Sequence, residues 1–167
     1  MLDLYNLLEE NHARIVSRLV DTVPKQVGAY ARMPKPELKQ SIEHWLEAYT
    51  DLLVTSEDAS LRTFFNYLAK VRAAQSFKLG DIQRALLCFL PVMRQVLQDA
   101  FREAHDGRAK YDQAMARVEK TAYDSVCSFA DVFQEYLASR IDEHNEYLEE
   151  QNKQLGVDLS QFIMFRG

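Results

Sequence analysis

The chain has 167 residues, 47% hydrophobic and 27% charged, with a formal net charge of −5. Five glycines, four prolines and two cysteines exclude a collagen-like chain, a low-complexity disordered chain and a disulfide scaffold, and leave one globular domain with few turns. The acidic balance argues against nucleic acid or an anionic membrane as a partner.

The amino-terminal MLDLYNLLEENHARI carries acids where a secretory signal needs a basic region followed by an apolar one. No run approaches the roughly eighteen apolar residues of a membrane span, so a cytoplasmic protein is expected. From Leu2 to about Val23, Leu4, Leu7, Leu8, Ile15, Leu19 and Val23 recur at three- and four-residue steps, one face of a helix that Pro24 should end or kink. Pro34 and Pro36 break the chain, and a second helix starting at Pro36 or Glu37 carries Leu38, Ile42, Trp45, Leu46, Tyr49, Leu52 and Leu53.

Ser60 is the expected N-cap of a third helix bearing Leu61, Phe64, Phe65, Leu68 and Val71. Asp81 is the expected N-cap of a fourth, the most apolar, which runs to Phe101 with a kink near Leu87 ahead of Pro91. Phe89, Leu90, Met93 and Leu97 are its expected core residues, and Gly107 the left-handed residue that closes it. From Arg108 to Leu155 there is neither Gly nor Pro, and Tyr111, Met115, Val118, Ala122, Val126, Phe129, Phe133, Leu137 and Ile141 form one long stripe.

Beyond Ile141 the apolar positions thin to Leu148 and Leu155 at seven-residue steps, with His144 and Gln151 at the second position of a weak zipper. The expected fold is an all-α, single-domain bundle of five to six helices, open to globin-like packing, with a long C-terminal helix. Residues 1–140 form the bundle, and 141–167 a helical extension followed by the apolar tail Val157, Leu159, Phe162, Ile163, Met164 and Phe165.

Chemistry-bearing patterns are scarce. Cys88 and Cys127 lie inside apolar helical patterns without metal-ligand or redox spacing, and both should be buried reduced thiols. Among His12, His44, His105 and His144, only Glu9 and His12 form a Glu-x-x-His pair, where a carboxylate-bridged metal site needs two; no metal is expected. The most apolar helix holds no histidine to serve as a proximal haem ligand, so no cofactor is expected, with haem kept as the sharpest alternative.

No G-x-S-x-G elbow and no glycine-rich phosphate cradle occur, and the chain is not expected to be an enzyme. Tyr30, Tyr49, Tyr67, Tyr111 and Tyr123 are the hydroxyls available to a pocket. Charge is uneven: Arg62 to Arg117 hold ten basic against five acidic residues, and Glu119 to Glu150 nine acidic against two basic.

The stretch FFNYLAKVRAAQSFKLGDIQRALLCFLPVMRQVL, Phe64 to Leu97, resembles the RsbRD-type amino-terminal sensor domain. The resemblance lies in Arg72 and Gln75 at a helix end, the Phe77 and Leu79 turn, the Asp81 to Leu90 run and Arg94, and extends over about Ile15 to Leu137. It implies a sensory input module similar to those of bacterial stressosome co-antagonists and sensor kinases, with no catalytic residue to carry over.

Those proteins continue into an output domain, whereas this chain ends at Gly167. The expected function is a homodimeric input domain that passes a signal along its last helix, through Ile141, His144, Leu148 and Leu155, to a signalling protein or output domain. The alternative is a stand-alone sensor that binds a small molecule or tetrapyrrole.

Overall fold

The computed structural model describes residues 2–155; the apolar tail from Val157 to Phe165 and the side chain of Leu155 lie outside the described residues. The chain divides into two compact units, residues 1–133 and 134–167. Six α-helices and one short 3₁₀ helix account for the elements among the described residues: α1 (Leu2–Gln26), the 3₁₀ helix (Gly28–Arg32), α2 (Lys35–Thr55), α3 (Ala59–Ala74), α4 (Leu79–Leu87), α5 (Phe89–Phe101) and α6 (Gly107–Leu155). The all-α class and the long last helix agree with the sequence periodicity.

The helices begin and end for local reasons. Pro24 lies in the last turn of α1, where its missing N–H deprives only the Val20 carbonyl, and the helix runs through it. Pro36 occupies the first turn of α2, where a backbone donor is not needed. Ser56, in the left-handed region at φ 62°, ends α2 by donating its N–H to the Leu52 carbonyl at 2.9 Å.

Ser60 is not the cap of α3. That helix starts two residues earlier, at Ala59 after Asp58, and the Ser60 hydroxyl donates instead to the Asp51 carboxylate at 2.6 Å. Asp81 is likewise displaced: α4 starts at Leu79, and the Asp81 side chain reaches back from the third helical position to accept the Lys78 N–H at 3.4 Å.

The kink expected at Leu87 is a division into two helices at Cys88. Pro91 then falls in the first turn of α5, where its missing donor costs little. The apolar face continues in phase across the break, through Ile82, Leu86, Phe89, Met93 and Leu97. Phe89, Met93 and Leu97 are fully buried, whereas Leu90, expected beside them, keeps part of its surface exposed.

The left-handed residue before α6 is Asp106, at φ 60°. Gly107 is the first residue of α6, and a Cβ there would collide with the Phe101 carbonyl oxygen, which is the reason for glycine at this place.

The core of the first unit is an aromatic ladder. Phe89 meets Trp45 and Tyr49 edge-on at centroid distances of 4.9 and 4.8 Å, and Phe65 meets Phe129 at 5.2 Å. Tyr49 fixes the register of α2 on α6 by donating its buried hydroxyl to the Val118 carbonyl at 3.0 Å, and burial raises its pKa. Arg117 adds a second tie, donating to the Leu53 carbonyl at 2.6 Å. Cys88 is buried, but Cys127 is exposed, because it lies off the Ala122, Phe129 and Phe133 face of α6.

Candidate functional site

On α3 the buried positions Leu61, Phe65, Leu68 and Ala69 are followed, at the next core-facing step, by Arg72. Helical spacing therefore carries a guanidinium into the interior, where it is 2% exposed. A charge so placed needs partners, and neighbouring elements supply them. Nη1 donates to Gln75 Oε1 at 2.6 Å and approaches Glu37 Oε1 at 3.5 Å, and Nη2 donates to Ser41 Oγ at 3.1 Å.

The Tyr30 and Phe77 rings, themselves edge to face at 4.7 Å, lie 5.5 and 5.4 Å from the guanidinium carbon. Burial raises the Tyr30 pKa, an effect that Arg72 partly offsets. Arg72 thus ties together the 3₁₀ helix, the start of α2, the end of α3 and the turn into α4. Among the described residues its Nε has no hydrogen-bond partner.

The same residue lines a groove of about 850 Å³ along α2 and α3, to which Tyr5 and Glu9 of α1 also contribute. Of the tyrosines available to a pocket, Tyr67 lines this groove and Tyr30 a smaller adjoining pocket of about 40 Å³. Tyr49 is consumed by the core, and Tyr123 is exposed on α6. His44 also lines the groove. Among the described residues, no group of three or more His, Cys, Asp or Glu side chains is placed to hold a metal ion, and no helix is long and apolar enough to cross a membrane.

In the second unit, the structure places Ile141, His144 and Leu148 on α6, all exposed, Ile141 to 61% and Leu148 to 41%. Leu155 ends the helix, and its side chain is outside the described residues. With Ile141 and Leu148 at heptad position a, Leu137 and His144 fall at d. Every acidic residue of this stretch, Glu135, Asp142, Glu143, Glu146, Glu149 and Glu150, then falls at b, c or f. Arg140, at g, is paired along its own helix with Glu143 at 2.7 Å. One face of the helix thus carries Leu137, Ile141 and Leu148 with His144 among them, and the opposite face is acidic.

The structure is thus an all-α bundle with a polar knot at the α3–α4 turn and a long last helix whose charges are segregated. Residues 9–148 match the family model described as the RsbT co-antagonist protein rsbRD N-terminal domain, and the chain belongs to that family of bacterial regulatory domains. No curated protein and no solved structure matches it. Sequence reasoning named Arg72 only through the family resemblance. The signal that marks it as buried is its four-residue step from Leu68, an arginine where the stripe demands an apolar residue.

Proposed function

We propose that this chain is a sensory input domain that forms a homodimer through one face of α6 and passes changes in bundle packing along that helix to a cytoplasmic signalling partner or output domain. The observation that carries the reading is the segregation of charge between Glu135 and Glu150. A second copy laid against the Leu137, Ile141, His144 and Leu148 face buries apolar side chains and keeps the acids of both chains in water.

The face is short and interrupted by His144, so on its own it is too weak to hold two chains, and residues of the bundle share the interface. That weakness suits transmission, because a small rotation of the helix exchanges neighbours at little cost. The stimulus, in this reading, acts in the first unit, and no resident cofactor is required.

Sedimentation equilibrium of the intact chain against one ending at Arg140 tests the proposal. A dimer at tens of micromolar that weakens on truncation supports it. Two monomers overturn it and leave the domain as a solitary ligand binder.

A further inference from the structure

We propose that the groove along α2 and α3 is a docking surface for a basic amphipathic helix of a partner protein. Among the described residues, the first unit leaves four large apolar or aromatic side chains well exposed, and three of them, Tyr5 at 39%, Val54 at 41% and Tyr67 at 61%, line this groove. The fourth, Tyr123, lies on α6. Exposed apolar side chains scattered singly are ordinary, but three lining one depression mark a place that receives a partner's side chains.

The groove is also acidic. Glu9, Glu37, Glu47 and Asp51 line it, against one arginine and no lysine. That arginine, Arg72, is buried, donates to Gln75 and Ser41, and takes up only Glu37, at 3.5 Å. Glu9, Glu47 and Asp51 remain, all exposed, so a cationic segment is attracted and an acidic one repelled.

Length selects a helix over a small molecule. Ser41 meets Arg72 at 3.1 Å toward one end and Asp51 meets Ser60 at 2.6 Å toward the other, so α2 and α3 run antiparallel. The ten residues from Ser41 to Asp51 rise roughly 15 Å, and the twelve from Ser60 to Arg72 roughly 18 Å. Three turns of a helix, roughly 16 Å, match that length. A small-molecule site encloses most of its ligand, whereas the exposure of Tyr67 belongs to an open surface.

The inference rests on the sensory reading for its role as the input. Docking is read at this groove and dimerisation at α6, so either can fail alone. The probe is a fluorescein-labelled helical peptide of about 15 residues, built of leucine, lysine and alanine with the leucines on one face, followed by anisotropy as the full chain is added. Saturable binding with a Kd of about 100 μM or tighter is expected.

The same peptide with glutamate for lysine should bind at least about tenfold more weakly. Tyr67→Ala and Glu47→Lys should each weaken the lysine peptide at least about fivefold, whereas Tyr123→Ala and Asp112→Lys, exposed changes outside the groove, should stay within about twofold. All four are surface changes that leave the circular dichroism unaltered. No saturable binding at about 1 mM chain overturns the proposal. So does equal binding of the glutamate peptide, or equal losses from the variants inside and outside the groove. Sedimentation of Tyr67→Ala decides the remaining occupant: an association state unchanged from the parent's supports a foreign helix, and a weakened one gives the groove to a second copy of the chain and overturns the proposal.

Discussion

Replacing Phe89 and Leu90 by alanine, one at a time, tests which of the two residues after the break at Cys88 carries the core. Phe89 has no exposed surface and packs edge-on against Trp45 and Tyr49. Removing its ring should cost about 3–5 kcal/mol, the transfer of the lost carbons plus the cavity that Trp45 and Tyr49 cannot close. Leu90 is only partly exposed. Truncating it removes three carbons worth about 0.8 kcal/mol each when fully buried, so about 1.5–2 kcal/mol is expected. Urea unfolding followed by the fluorescence of Trp45, the chain's single tryptophan, measures both, and the denaturant slope should match the parent's. Equal losses at the two positions, or the larger loss at Leu90, would refute the helix phase described above.

Three further outcomes follow from named residues. Cys127 should react with a thiol reagent in the native state, while Cys88, buried and with its thiol pKa raised by burial, should react only on unfolding; equal native rates would contradict this placement. Gly107→Ala should cost about 1–3 kcal/mol in thermal or urea unfolding, because its Cβ meets the Phe101 backbone carbonyl and not a side chain that can swing away. The Asp99 carboxyl is held below the usual range by its hydrogen bond from Arg14, so its contribution to stability is present above the ordinary Asp pKa of about 3.9 and lost as pH falls through the lowered value. In acid titrations of stability, Asp99→Asn should flatten that part of the curve.

Helical periodicity made most of the bundle legible, because apolar stripes such as Leu7, Leu8, Ile15, Leu19 and Val23 have one solution in a chain so poor in Gly and Pro. Boundaries were harder. Ser60 and Asp81 have good capping chemistry, but each sits inside the first turn and spends its side chain elsewhere, a choice made by tertiary neighbours such as Asp51. Tyr5, Glu9, Glu47 and Tyr67 share the groove although they come from three helices, and no linear spacing announces that convergence. Arg72 was visible as a motif residue and hidden as a buried one, since a charged side chain ordinarily marks the wet face. The long stripe through α6 concealed Cys127 and the exposure of Leu137 and Ile141 in the same way, because periodicity names a face without saying what covers it.

The central claim is that two copies meet along the Ile141 and Leu148 face of α6. Single cysteines introduced at Ile141, Leu148 and Glu146, each in a Cys88→Ser and Cys127→Ser background, test it by oxidative cross-linking of the full chain. A disulfide requires Cα atoms within about 7 Å, which like a positions of parallel paired helices approach and outward f positions do not. The account predicts covalent dimers from Ile141→Cys and Leu148→Cys and none from Glu146→Cys. Cross-linking at Glu146→Cys as efficient as at the other two, or at none of the three, would contradict it.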